Sequence, residues 1–200
     1  MTKYVLNSGN LKSYPEKQKL FFAECLEGLG SNPTILIVMF SRPREYWEQT
    51  FSKYENTLND FAPDGVTASF EMANPDRFED QVENNDVIYI IGGDDYLLRF
   101  WLDKFDVPNI WEGKVVATSS AGSDVLVKHF WTCDWRKPMD GLGILPIKFI
   151  PHYNSAYGSD DPYRGAIDWG NAKIELEEYG DTDLPIHALE EGDFIVVEKL

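Results

Sequence analysis

The chain has 200 residues, 43% of them apolar, with a formal net charge of −16. That composition predicts one globular domain over residues 1–200 with a substantial core and argues against intrinsic disorder. The acidic balance argues against nucleic acid and anionic membranes as partners, and no apolar run reaches the roughly 20 residues that span a bilayer. The first residues carry no apolar leader, so a cytoplasmic location is expected. Cys25 and Cys133 form no motif with His at metal-ligand spacing, and neither metal nor cofactor is expected.

Tyr4-Val5-Leu6-Asn7 reads as a first short strand. Residues 16–29 carry apolar side chains at helical spacing, place Cys25 as a buried thiol, and stop at Gly30. Thr34-Ile35-Leu36-Ile37-Val38-Met39-Phe40 is an unbroken apolar run, the pattern of a parallel strand buried on both faces. A helix begins near Pro43, with Tyr46, Trp47, Phe51, Tyr54, Leu58 and Phe61 on its core face. Residues 66–71 read as a strand and 75–85 as a helix. Val87-Ile88-Tyr89-Ile90-Ile91 is a second buried strand, ending in Gly92-Gly93-Asp94-Asp95 before a helix over 96–105. Val115-Val116-Ala117 is a further strand, followed by Ser119-Ser120-Ala121-Gly122-Ser123 and a helix-like stretch over 124–127. The order predicts an α/β fold: an open, mostly parallel sheet with helices on both faces, binding ligands beyond the carboxyl ends of its strands.

The last quarter differs. Residues 147–153 are strand-like and end on Pro151-His152-Tyr153, residues 154–162 form a polar loop, and 163–171 have helical character. Two further strands, 185–189 and 194–197, flank Glu190-Glu191-Gly192-Asp193, which reads as a hairpin tip.

A small-residue turn between strand and helix can present a serine hydroxyl beside unpaired backbone N–H groups, which suits a nucleophile whose reaction creates an oxyanion. Such a serine needs a base, and the base needs an orienting partner. Of the three histidines, His129 is expected near the C-terminal end of the serine helix, capping carbonyls or at the surface, and His187 within a strand. His152, at a strand end, is the best placed base. Glu190 and Glu191 are candidate acids that the pattern alone does not separate. Asp94 and Asp95 are expected to cap the helix they precede.

Four segments in order resemble the peptidase E family of aspartyl dipeptidases, which includes the cyanophycinases: Ile90-Ile91-Gly92-Gly93-Asp94, Ser119-Ser120-Ala121-Gly122-Ser123, Gly141-Leu142-Gly143-Ile144 with Pro151-His152-Tyr153, and Ala188-Leu189-Glu190-Glu191-Gly192-Asp193. The resemblance implies a fold like the class I glutamine amidotransferase core and a serine-type peptidase of short peptides. It maps the triad to Ser120, His152 and Glu191, the oxyanion hole to the backbone N–H of Ala121 and of Gly92 or Gly93, and an acidic substrate side chain to Arg164. Gly-Gly-Asp-Asp stands where the family often has Gly-Gly-Gly-Asn, and Thr118-Ser119 where the dipeptidases carry Gly and an aromatic, so Asp-X specificity stays open. A cyanophycin-like polymer, or binding of an anion or small molecule without turnover, are the alternative expectations.

Overall fold

The computed structural model describes residues 1–199. Six strands form one sheet in the order β10-β1-β5-β4-β2-β3: β1 (Thr2–Asn7), β2 (Thr34–Val38), β3 (Ser69–Met72), β4 (Val87–Ile90), β5 (Val115–Ser119) and β10 (Phe194–Lys199). All neighbours are parallel except β10, which runs antiparallel to β1 at one edge. The central strands β1, β4 and β5 are buried along almost their whole length, as unbroken apolar runs require, whereas edge strand β10 is half exposed. Helices α1 (Pro15–Leu26), α2 (Trp47–Asp60), α3 (Phe78–Asn84), α4 (Asp95–Leu102) and α5 (Ala121–Leu126) alternate with these strands. Cys25 is a buried free thiol in α1.

A second sheet, not expected from the sequence, has the order β7-β6-β8-β9 and is formed by β6 (Val127–Thr132), β7 (Lys137–Asp140), β8 (Leu145–Ile150) and β9 (Ile186–Ala188). Strand β6 follows α5 without a break, so no turn signal announces it. His129 consequently lies buried in β6 rather than capping a helix. Its Nδ1 is 2.7 Å from Asp140 Oδ1, and its Nε2 accepts from the Asp181 N–H at 3.2 Å. His187 lies in β9, in register with Phe149. The two closing strands do not form a hairpin: β9 belongs to the second sheet and β10 to the first, so the turn of residues 190–193 crosses between sheets. The helix expected over 163–171 instead forms later, as α6 (Trp169–Glu178), with Asp168 capping it by accepting from the Asn171 N–H at 3.0 Å. The cap decides the start, because residues 163–168 include Gly165 at φ 63°.

Lys148 shows how the second sheet holds α6. This fully buried side chain donates to the carbonyls of Leu176, Glu177 and Tyr179 at 2.7, 3.0 and 2.7 Å. The Leu176 carbonyl also accepts from the Tyr179 N–H at 3.3 Å, so Lys148 satisfies chiefly the carbonyls of Glu177 and Tyr179, which the helix C-terminus leaves without a helical partner. Lys148→Met keeps a side chain of similar length but orphans the Glu177 and Tyr179 carbonyls, and is expected to cost about 3 kcal/mol, read from urea denaturation.

Candidate active site

Parallel register brings the strand ends together. Asn7 pairs with Ser119 and Ile90 with Thr118, so β1, β4 and β5 terminate at one level. Ser120 follows directly, at φ 50° and ψ −117°, a region that non-glycine residues rarely occupy. Its N–H donates to the Asn7 carbonyl at 2.9 Å, and its own carbonyl accepts from the N–H groups of Ser123 and Asp124 at 2.7 and 3.0 Å. Ser123 Oγ also donates to the Asn7 carbonyl, at 2.9 Å. A side chain at Gly122 would place its Cβ 2.5 Å from the Ile90 carbonyl oxygen, so the bend requires glycine there. Ser119 is buried beside Asn7, whereas Ser120 is partly exposed.

Ser120 Oγ lies 3.1 Å from His152 Nε2, and His152 Nδ1 lies 3.1 Å from Glu191 Oε1. With Nδ1–H directed at the carboxylate, Nε2 is left as an acceptor for the serine proton. His152 sits beyond the end of β8 at φ 53°, held there by its N–H, which donates to Ser8 Oγ at 2.7 Å. Its ring stacks on Tyr157 at 4.2 Å between centroids. Burial lowers the proton affinity of His152 below the usual imidazole value, opposed by the hydrogen bond and charge of Glu191.

Glu191 comes from the turn that crosses between the sheets. Ser8 N–H donates to the Asp193 carbonyl at 2.9 Å and Gly192 N–H to the Gly9 carbonyl at 2.8 Å, fixing the turn against the end of β1. Glu190 is exposed. Gly9 lies against both Ser120 and His152: a Cβ there would stand 2.5 Å from His152 Cε1 and 3.3 Å from Ser120 Cβ. Ser8, Gly9 and Tyr157 are site residues that the sequence pattern does not single out. The run Asn7-Ser8-Gly9-Asn10 at the end of a buried strand carried the usable signal, since these are turn formers.

The Gly-rich turn lies against the same serine. A Cβ at Gly92 would be 3.1 Å from Ser120 Cβ and 3.0 Å from the Ser119 carbonyl oxygen. The Gly92 carbonyl accepts from Ser41 Oγ and Arg42 Nε at 3.0 and 2.9 Å. Asp94 caps α4 as expected, accepting from the Leu97 N–H at 2.7 Å. Asp95 does not cap: it is buried and accepts from Thr132 Oγ1 at 2.8 Å.

Arg164 is not bonded to Ser120, His152 or Glu191. Its Nε donates to Asp161 Oδ2 at 2.6 Å and its Nη1 to the Asp134 carbonyl at 2.8 Å. The N–H groups of Tyr163 and Arg164, with the guanidinium, hold the Asp161 carboxyl down at about 2. Beside Tyr157 an open cavity of about 580 Å³ is lined by Asp134, Asp160, Asp161 and Tyr163 among others. Arg136 pins its rim by donating to the carbonyls of Gly158, Arg164 and Gly165.

Among solved structures, a protein assigned as peptidase E from Listeria monocytogenes EGD-e superposes with a TM-score of 0.64 at 14% identity, over 100% of both chains. A peptidase from an acI-B1 Actinobacterium gives 0.60 at 21% identity, covering 98% of this chain and 83% of that one. These likenesses establish the α/β fold. No curated protein matches the sequence. No helix among the described residues is long and apolar enough to cross a membrane. The model of peptidase family S51 matches residues 6–199, nearly the whole chain, and the protein therefore belongs to that family of serine-type peptidases.

Proposed function

We propose that this peptidase cleaves short peptides through Ser120, His152 and Glu191. The observation that carries the reading is the continuous hydrogen-bonded line from Ser120 Oγ through the His152 ring to Glu191 Oε1, at 3.1 Å in each step. Ser120 Oγ attacks the peptide carbonyl carbon while His152 Nε2 takes its proton. The same proton then passes to the leaving amine, and the acyl-serine ester is hydrolysed by water with His152 again as base. Glu191 holds the ring in the required tautomer and stabilises the imidazolium. A turn that only bound an anion would have no use for a base so held.

The oxyanion is assigned to the N–H groups of Ala121 and Gly93, with Gly92 forming the wall beside Ser120. Ala121 opens α5, where an N–H has no intrahelical acceptor. The planar Gly92–Gly93 peptide points its N–H opposite to the carbonyl that Ser41 and Arg42 hold, which supports Gly93 as the donor.

For Asp-X dipeptides, Arg164 would have to exchange Asp161 for the substrate carboxylate. The carboxylates of Asp134, Asp160 and Asp161 around the cavity favour a second reading, hydrolysis of amides bearing basic groups, of which a cyanophycin-like polymer is one. Hydrolysis of Asp-Leu, Glu-Leu, Ala-Leu, Leu-Leu and Arg-Leu by the wild type and Ser120→Ala tests both. Turnover that falls by about 10⁴-fold or more in Ser120→Ala is the expected result. Preference for Asp-Leu assigns Arg164 to specificity, and preference for Arg-Leu assigns the carboxylates. Undiminished turnover by Ser120→Ala would overturn the proposed mechanism.

A further inference from the structure

Residues 7–10 touch every member of the proposed triad. Asn7 receives the Ser120 N–H, and its Nδ2 donates to the carbonyls of Gly192 and Asp193 at 3.1 and 3.0 Å. Ser8 Oγ accepts from the His152 N–H and donates to the Leu189 carbonyl at 2.9 Å, joining the histidine turn to the glutamate turn. Gly9 packs against the imidazole. The fourth residue reaches the carboxylate itself: Asn10 Nδ2 donates to Glu191 Oε2 at 2.6 Å.

We infer that Asn10 is a positioning residue of the catalytic relay, clamping the Glu191 carboxylate in the orientation that His152 requires. The inference rests on reading Ser120, His152 and Glu191 as the triad. The Glu191 side chain is only 13% exposed, and with Oε1 facing His152 its second oxygen needs a donor that water supplies poorly. A carboxylate only accepts, so the amide end facing it is the NH₂, and Asn10 Oδ1 is correspondingly free to accept from Ser13 Oγ at 2.9 Å. The amide is thus gripped at both ends. Asn10 lies at φ 53° and ψ 30°, left-handed backbone that asparagine enters more readily than most residues. The clamp is also neutral. A lysine or arginine at the same place would compete with the imidazolium for the carboxylate charge. The nearby cation, Lys17, is directed instead at the Glu191 main-chain carbonyl at 3.1 Å and at Asp193 Oδ1 at 2.7 Å. Lys17 therefore does not compete with His152 for the Glu191 carboxylate, while both the side chain and the backbone of Glu191 are held.

A fluorophosphonate probe tests this without knowledge of the substrate. Ser120 Oγ forms a bond to phosphorus, fluoride leaves, and His152 takes the serine proton, so the labelling rate and its pH dependence report the relay. Rates would be measured from pH 5 to 9 for the wild type, Asn10→Gly, Asn10→Asp and Ser120→Ala, with urea midpoints recorded for each. Glycine keeps the left-handed backbone without the amide. Aspartate also tolerates that backbone but sets a carboxylate against Glu191. Both are expected to label about tenfold or more slowly than the wild type, by analogy with the loss of a hydrogen bond that orients a metal-ligating histidine or carboxylate. Asn10→Gly is also expected to move the acid limb of the profile to lower pH, because a loosened Glu191 supports the imidazolium less. A purely structural role for Asn10 would lower the urea midpoint and leave that limb in place. Wild-type rates and an unshifted limb in both variants, with Ser120→Ala unlabelled, would overturn the role of Asn10 alone. A wild type that labels no better than Ser120→Ala would overturn the triad and the inference together.

Discussion

Glutamine in place of Glu191 is expected to slow peptide hydrolysis by about 10⁴-fold with little change in KM, while Glu190→Gln stays within about twofold of the wild type. The two residues are adjacent in one turn, yet Glu191 Oε1 is 3.1 Å from His152 Nδ1 and Glu190 is exposed. Glutamine fills the same space but carries no charge, and its NH₂ can face Nδ1 only if the proton moves to Nε2. That tautomer cannot accept from Ser120. The pH profile provides a second reading. The base must be neutral to act, so activity is lost as the pH falls through the His152 pKa. Burial already holds that pKa below the usual imidazole value, and Glu191 opposes the shift, so residual activity of Glu191→Gln should persist to lower pH than in the wild type. Steady-state kinetics of both variants over pH 5–9 checks the two expectations together.

The second large effect concerns stability. Asp95 is buried, and its carboxyl is pushed up from the usual 3.8 to about 6, burial outweighing the Thr132 hydrogen bond, with Asp134 and Asp94 adding repulsion. Asp124 is also buried, one carboxyl oxygen has no hydrogen-bond partner, and burial and Asp95 push it well above the usual carboxylate range. The folded chain therefore binds these protons more tightly than the unfolded chain. Stability is highest below about pH 4 for this contribution and is lost as the pH rises through about 6. Asp95→Asn keeps an acceptor for Thr132 and removes the charge. It is expected to stabilise the fold by about 3 kcal/mol at pH 8 and by about half of that at pH 5. Urea denaturation of the two proteins at both pH values is the measurement. Equal midpoints at pH 8 would show that Asp95 is solvated in the folded state.

The buried strands were legible because burial on both faces leaves a continuous apolar run, as in Thr34 to Phe40 and Val87 to Ile91. The turns at Gly92 and Ser120 were legible because close backbone approach and a strained bend admit few residue types, as Gly122 against the Ile90 carbonyl shows. Strand β6 was not, because it continues from α5 with neither a cap nor a breaker between them. Nor does any local pattern tell Glu191 from Glu190 or show that Arg164 is tied to Asp161.

By itself, then, the sequence determined the alternating α/β order, the serine turn and the strand-end histidine, all of which follow from short-range sterics and burial. Only the tertiary structure decided which glutamate meets the histidine and that residues 7–10 bond to the serine, histidine and glutamate turns alike. Those contacts join positions far apart in the chain, Asn10 to Glu191 above all. They exist because β1 lies between β5 and β10, so the end of β1 is caught between the serine turn and the crossing turn. Such long-range hydrogen bonds leave no periodicity in the sequence that local reading could detect.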